Sequence, residues 1–403
     1  MSDLGRTLAN KIAYKLHAKK YLSAANIPVF VSVVENACLL HDIGNPPFGH
    51  FGESAIRDWA KSNAKKCCPN DVEFTGTLKI LMNDFYEFDG NPQGFRTITK
   101  LHTEHDRHSL NLTTATLLCG LKYSRAAGER KGEGILKKAG YFQSEKQLVQ
   151  QLYESVGMKL HHRFPLTYIM EAADDIAYCM SDIADGIEKN ILTEERFISE
   201  FLKEWETRYP KEELPVVVPS YDNMQGFNRD ISIPWSKEAM DEALNYYFEN
   251  HQDVYEGTAT ELLPKSGRIG RVLDTMKHVS RRILYTSFEA ESIELTGYAV
   301  IYGILSNYER LLALPSETFI SLVNNSSEVK DIDVERRLFN RLGHRYIQAY
   351  CYALSDLSSD DIGYKEKEWW LRVHLLIDHV SGMTDEFALQ TYQMLTGINV
   401  LRN

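Results

Sequence analysis

Alternation of apolar and polar residues, the mark of a half-buried strand, is almost absent from this chain, which argues against a β-rich fold. Apolar runs approaching the ~20 residues of a membrane-spanning helix are missing too. The opening stretch MSDLGRTLANKIAYKL lacks the apolar core of a secretory signal and reads as an amphipathic helix. Cysteine is sparse and unpatterned: Cys38, Cys67, Cys68, Cys119, Cys179 and Cys351 include no C-x-x-C pair. Adjacent Cys67 and Cys68 suit a disulfide poorly, and three of the others sit in apolar helical runs as small buried hydrophobes. A reducing, cytoplasmic setting is the expectation. There is no surplus of positive charge: 45 Lys and Arg face 56 Asp and Glu, for a net charge of −11. A broad nucleic-acid-binding surface is therefore disfavoured, and an anionic ligand needs a local cationic cluster or a metal. Neither repeats nor low-complexity tracts occur.

What remains is helical periodicity. Apolar residues recur at three- and four-residue spacing over 3–22, 31–42, 53–66, 76–86, 111–122, 145–158, 165–190, 194–207, 236–251, 268–281, 289–312, 316–324, 333–354 and 367–396. The pattern predicts an all-α fold: a core over residues 1–255 and a C-terminal helical extension over 256–403 packed on it. The stretch 214–235, with prolines at both ends, reads as a connector, and the Gly- and charge-rich 124–141 as a mobile loop.

The residue chemistry concentrates in ACLLHDIGNPPFGHFGE, 37–53. His41 and Asp42 close an apolar helix just before a Gly-Asn-Pro-Pro break. Imidazole nitrogen and carboxylate oxygen at a helix end suit a borderline divalent cation. His50 and Glu53, three apart, share a helix face, where a carboxylate orients an imidazole and makes it more basic for proton transfer. In PLTYIMEAADDIAYCMSDIADGIE, 165–188, Asp174, Tyr178 and Asp182 recur every four residues beside apolar stripes. A carboxylate row so flanked is costly unless it is paired or metal-bound. Arg96, Lys122, Lys137, Lys138 and Arg163 are candidates for a phosphate cradle.

Taken together, HDIGNPPFGHFGE, EAADDIAY, FDGNPQGFR, LKYSR and KKAGYF resemble the signature segments of the HD-domain deoxynucleotide triphosphohydrolases, the dGTPase family, with Asp89 where the family has Glu. The resemblance extends through ERRLFNRLGHRY and DHVSGMTDEFAL and covers essentially the whole chain. It implies an all-α HD-domain core that hydrolyses dGTP, or dNTPs more broadly, to a deoxynucleoside and inorganic triphosphate. His41, Asp42 and Asp174 would be ligands of a divalent metal, Mn²⁺ or Mg²⁺ first, with Co²⁺ and Fe²⁺ as alternatives. His50 and Glu53 would be the catalytic pair. Arg96, Lys122 and Lys138 would hold phosphate oxygens, and Tyr178 and Asp182 would line the sugar. Asn91, Gln93, Tyr123 and Tyr141 match polar pocket positions, and Glu294 and Arg345 would close the site. A homo-oligomer, hexameric or otherwise, is implied, and a nucleotide or single-stranded DNA effector is compatible with the family.

One departure stands at Met1. The family's first metal ligand, a His in an R-x-x-H-S-x-E-V segment, would fall about four positions before this start. Two expectations follow: a start assigned too late on a complete enzyme, or a catalytically impaired nucleotide-binding or assembly subunit.

Overall fold

The computed structural model describes residues 1–104, 106–215, 226–325, 330–359 and 362–398. Its chain order runs α1 (Ser2–Ala18), α2 (Ile27–Leu40), α3 (Gly49–Asn63), α4 (Gly90–Arg96), α5 (Thr114–Gly120), β1 (Arg125–Ala126), β2 (Ala139–Tyr141), α6 (Lys146–Ser155), α7 (Thr167–Glu188), α8 (Glu194–Arg208), α9 (Ile233–Glu249), α10 (Arg268–Ile283), α11 (Phe288–Leu312), α12 (His344–Ser355), α13 (Tyr364–Ser381) and α14 (Asp385–Leu395). Shorter helical segments join them at Gly76–Leu81, Asn83–Tyr86, His251–Glu256, Ser316–Val323 and Asp333–Phe339. The fold is all-α, as the periodicity predicts. The single β pair is parallel and two strands wide among the described residues.

Two compact units divide the chain. The first holds Met1–His41, Thr114–Lys122 and Gly157–Ser292; the second holds Asp42–Thr113, Tyr123–Val156 and Ile293–Asn403. This division falls elsewhere than after residue 255. Each unit has its own apolar core. In the first, α7 turns Ile169, Ala173, Ile176, Met180 and Ile183 inward, and α1 adds Leu8, Ile12, Ala13 and Leu16. Both sets follow the 3.6-residue repeat that puts an apolar stripe on one helix face. In the second, Trp59, Phe85, Phe88 and Trp369 are fully buried. Here α13 is buried along nearly its whole length. Its Arg372 donates from Nη1 to the carbonyls of Leu311 (3.3 Å), Leu312 (3.3 Å) and Leu314 (2.6 Å). The Leu311 and Leu312 oxygens lie at the C-terminus of α11, where a helix runs out of internal donors, and Leu314 lies just past it, so the guanidinium supplies the missing partners.

Three expectations need correction. The run 333–354 breaks between Phe339 and His344, and 367–396 breaks at Gly382–Thr384, where Thr384 Oγ1 accepts from the Phe387 N–H (3.2 Å) and starts α14. Apolar spacing continues across both breaks, so it hid them. Of the stretch 214–235, residues 216–225 lie outside the described residues, but Asn228–Ser232 forms a wide helical turn leading into α9. Pro234 follows directly on that wide turn, at the start of α9. The segment 124–141 is a loop, as expected, whose two ends pair, with Arg125 opposite Ala139 and Ala126 opposite Tyr141. Gly140 makes that pairing possible: a Cβ there would lie 1.6 Å from the Tyr123 carbonyl oxygen.

No helix among the described residues is long and apolar enough to cross a membrane. All six cysteines are free thiols.

Candidate active site

The Pro46-Pro47 break bends the chain into α3 through two consecutive left-handed residues, Phe48 (φ 61°) and Gly49 (φ 55°). A bulky residue rarely adopts that conformation. Phe48 is held there by donating its N–H to Asp385 Oδ1 (3.0 Å) and by packing on Gly297. The turn places His50 in the first turn of α3 and Glu53 one turn on.

His50 and Glu53 form the hydrogen-bonded pair that their spacing predicts, with Nδ1 to Oε2 at 3.0 Å. Their environments differ sharply: the imidazole is 83% exposed and the carboxylate 5%. The buried carboxylate is fixed on its other side by the Gly90 N–H at the start of α4, which donates to Oε1 at 2.7 Å. The Glu53 hydrogen bond raises the His50 pKa above its ordinary value. The ring therefore keeps a proton to higher pH than a free imidazole does.

An open cleft of ≈ 530 Å³ surrounds this pair. Arg57, Lys61, Arg125, Lys131, Lys137 and Lys138 line it, against Glu53, Glu87 and Asp89. Lys138 Nζ pairs with Asp89 Oδ2 (2.7 Å), whose Oδ1 accepts from the Asn91 side chain (2.6 Å). Burial pushes the Asp89 carboxyl up, but Lys138 and Asn91 outweigh it and hold the group below its ordinary value. Arg57 is braced by the Phe88 carbonyl (2.7 Å) and Ser54 Oγ (2.8 Å). Asp89 also caps α4 through the Asn91 N–H. This short helix had no apolar repeat to announce it. Of the cleft cations, the sequence reading singled out Lys137 and Lys138. Arg57, Lys61 and Lys131 had no signal beyond being basic, and Arg125 stood only as the last residue of LKYSR.

Arg96 and Gln93 do something else. Arg96 is buried, with Nη2 2.8 Å from Asp378 Oδ2 and Nη1 3.0 Å from Glu145 Oε1. Gln93 Nε2 donates to Asp378 Oδ1 (3.0 Å). Two carboxylates already engage the Arg96 charge, so its observed work is to tie α4 to α13. Tyr141 is fully buried in β2, Tyr123 and Glu294 are half-buried, and Arg345 lies over the Tyr346 ring (4.6 Å).

In the first unit, His41 stands just past the end of α2. Its Nδ1 faces the Cys38 carbonyl (2.8 Å), which turns Nε2 to Asp174 Oδ1 on α7 at 3.6 Å. That gap is close to what two donors each ~2.1 Å from one ion require. The other Asp174 oxygen pairs with Lys122 Nζ at 2.9 Å. So the pair fits a metal, while no group of three or more His, Cys, Asp or Glu side chains positioned to hold one occurs among the described residues. Asp42 belongs to the second unit and is exposed in the turn after His41. Further along α7, Asp182 and Tyr178 both hydrogen-bond the Tyr285 hydroxyl, a residue the sequence reading passed over. On the same helix, burial raises the Glu171 carboxyl to about 7, against the pull of its partner Arg163.

No protein-family model matches the chain. A deoxyguanosinetriphosphate triphosphohydrolase of Yersinia pestis (strain Pestoides F) is 32% identical over 98% of this chain and 85% of its own length. The protein of the same description from Yersinia pestis bv. Antiqua (strain Angola) gives the same identity and coverage. The chain belongs to the deoxyguanosinetriphosphate triphosphohydrolase family. Within this triphosphohydrolase family member, the His50–Glu53 pair and the cations around it form one cleft of the second unit, and the His41–Asp174 pair belongs to the first.

Proposed function

We propose that this protein hydrolyses a deoxynucleoside triphosphate, dGTP foremost, to the deoxynucleoside and inorganic triphosphate. The observation that carries the reading is the cleft itself: an exposed imidazole, held and made more basic by a buried carboxylate, ringed by six cationic side chains in a protein of net charge −11. The family relationship supplies the chemical class.

In this mechanism a water oxygen bonds to the α-phosphorus and the bond from that phosphorus to the sugar 5′-oxygen breaks. The departing oxygen needs a proton, which the His50 imidazolium donates, and the proton lost by the attacking water restores the ring to its charged form. Glu53 orients the ring and favours its charged form. Lys137, Lys138, Lys131 and Arg57 hold the triphosphate, whose charge exceeds what one cation can balance. Lys138 would exchange its Asp89 partner for a phosphate oxygen. His41 and Asp174, with Asp42 next in the chain, would hold a divalent ion such as Mn²⁺ or Mg²⁺. Such an ion, when bound, polarises a phosphoryl oxygen.

The test is dGTP turnover with Mn²⁺, following inorganic triphosphate and deoxyguanosine together. Equal release of both is expected, and His50→Ala is expected to lower the rate roughly 10²–10⁴-fold with nucleotide binding retained. Pyrophosphate or orthophosphate as the first product would overturn the reading. A second reading, a nucleotide-binding subunit with impaired chemistry, is favoured by the Lys122 ammonium lodged on Asp174. Tight dGTP binding without turnover would select it.

A further inference from the structure

A pocket of ≈ 200 Å³ in the second unit shares no residue with the cleft. His379 on α13 lines it and is only 5% exposed. Its ring is fixed edge-on by Tyr308 (6.0 Å between centroids) and Tyr346 (5.9 Å). The Gly343 N–H donates to His379 Nδ1 at 3.4 Å, so the proton of the neutral imidazole sits on Nε2. Burial and the Arg345 guanidinium push the His379 pKa down to about 4, which keeps the ring neutral at neutral pH. Nε2 has no hydrogen-bond partner among the described residues and is not one of the fully enclosed polar atoms, so it keeps access to the pocket that its residue lines. Arg341 lines the same pocket, exposed, and its guanidinium makes no ion pair or hydrogen bond among the described residues. On α14, Phe387 and Met394 add partly exposed apolar surface from one helix face. No acidic side chain lines the pocket among the described residues.

We propose that this pocket binds a small aromatic monocarboxylate, with the carboxylate accepting from Arg341 and from the His379 Nε2–H and the ring lying on Phe387 and Met394. The inference does not depend on the nucleotide reading above. Elimination supports it. A neutral arene would cover the apolar wall but leave the His379 N–H and the guanidinium without an acceptor, and a buried donor so left is costly. A cation would be repelled by Arg341. A phosphate dianion would bring a second charge to a pocket lined by one cation, and would gain nothing from Phe387 and Met394. A single carboxylate matches one guanidinium in charge and in its planar, forked geometry. An apolar cavity of about 150 Å³ is enough to take benzene, so a pocket of this size takes a six-membered ring with a carboxylate attached.

The test is calorimetric titration of the full chain with three probes: phenylacetate, its neutral isostere phenylacetamide, and acetate, which has the charge but no ring. Phenylacetate is expected to bind at least ~10-fold tighter than either of the others, since a hydrogen bond to a charged group is lost with the amide and the apolar contact with acetate. In Arg341→Met the advantage over phenylacetamide is expected to vanish; this side chain is exposed, so the variant is expected to keep the wild-type circular dichroism spectrum. A second readout follows His379 itself. In the chain labelled with ¹⁵N-histidine, phenylacetate is expected to shift the Nε2–H resonance and slow its exchange with water. Equal titration curves for the three probes on the wild-type chain, a common absence of heat included, would overturn the proposal, and this comparison needs no variant. Survival of the preference in Arg341→Met would overturn it as well. So would saturable phenylacetate binding that leaves the His379 resonance unmoved, because the carboxylate would then sit elsewhere.

Discussion

At the scale of single residues, the cleft works by pairing one exposed group with one buried one. Glu53 is fixed from two sides, so its effect on His50 is separable by a change that keeps shape. Glu53→Gln is expected to bring the His50 pKa down toward the ordinary imidazole value of about 6.5, followed by titrating the His50 ring proton in NMR spectra. The sign for stability follows from the raised folded value. The pair's contribution is fully present below the unfolded pKa and is lost as pH rises through the folded one. Asp89 runs the other way. Its folded value is lowered, so its contribution is present above the unfolded value and fades as pH falls through the folded one. Lys138→Met removes the cation that holds it down. Acid unfolding of that variant is expected to begin at higher pH than in wild type, followed by circular dichroism. The His50–Glu53 and Lys138 parts of this cleft were legible in the sequence, because i, i+3 spacing and adjacent lysines are local patterns. The Gly90 N–H that fixes Glu53 was not, since it comes from 37 residues away.

At the scale of elements, α4 is the piece on which the cleft turns. It presents Gly90 to Glu53, Asp89 to Lys138 and Arg96 to Asp378. It can do so because Gly44 lets it come close: a Cβ on Gly44 would lie 2.0 Å from the Gly94 nitrogen and 2.2 Å from the Gly90 carbonyl oxygen. Those are backbone atoms, so α4 itself would have to move. Gly44→Ala is expected to cost about 1–3 kcal/mol in urea unfolding and to lower turnover by disturbing the Glu53 contact. Long helices such as α1, α7 and α10 were readable because their apolar stripes repeat over several turns. Helix α4 was not, at seven residues with Pro92 and two glycines. Its existence depends on the Asp89 cap and on the Gly44 contact. The β1–β2 pair was hidden for a similar reason, being too short for alternation to register.

At the scale of the whole chain, the positions that the family resemblance names divide between the two units. His41, Lys122, Asp174, Tyr178 and Asp182 fall in the first, while Asp42, His50, Glu53, Asn91, Gln93, Arg96, Tyr123, Lys138, Tyr141, Glu294 and Arg345 fall in the second. Motif order along the sequence gave no sign of that division, because each unit is assembled from three separate stretches. Distant partners were equally invisible, as with Arg96, whose burial depends on Asp378. Arg96→Met would leave Asp378 and Glu145 buried without their shared cation. It is expected to cost roughly 3–5 kcal/mol, measured by urea unfolding, because a buried charge stripped of its partner is penalised that heavily.

The span between Arg96 and Asp378 has a consequence in time. The two residues are 282 positions apart. At about 5–20 residues per second on a ribosome, roughly 15–55 seconds separate the synthesis of the guanidinium from that of the carboxylate that locks it. Throughout that interval the nascent segment carrying His50, Glu53 and α4 is already made but has no α13 to close against, whereas every residue of the first unit has been polymerised once Ser292 is added. The anchoring of the cleft to α13 is thus among the last contacts that the newborn molecule can make, and Phe85 gains its His374 neighbour only then.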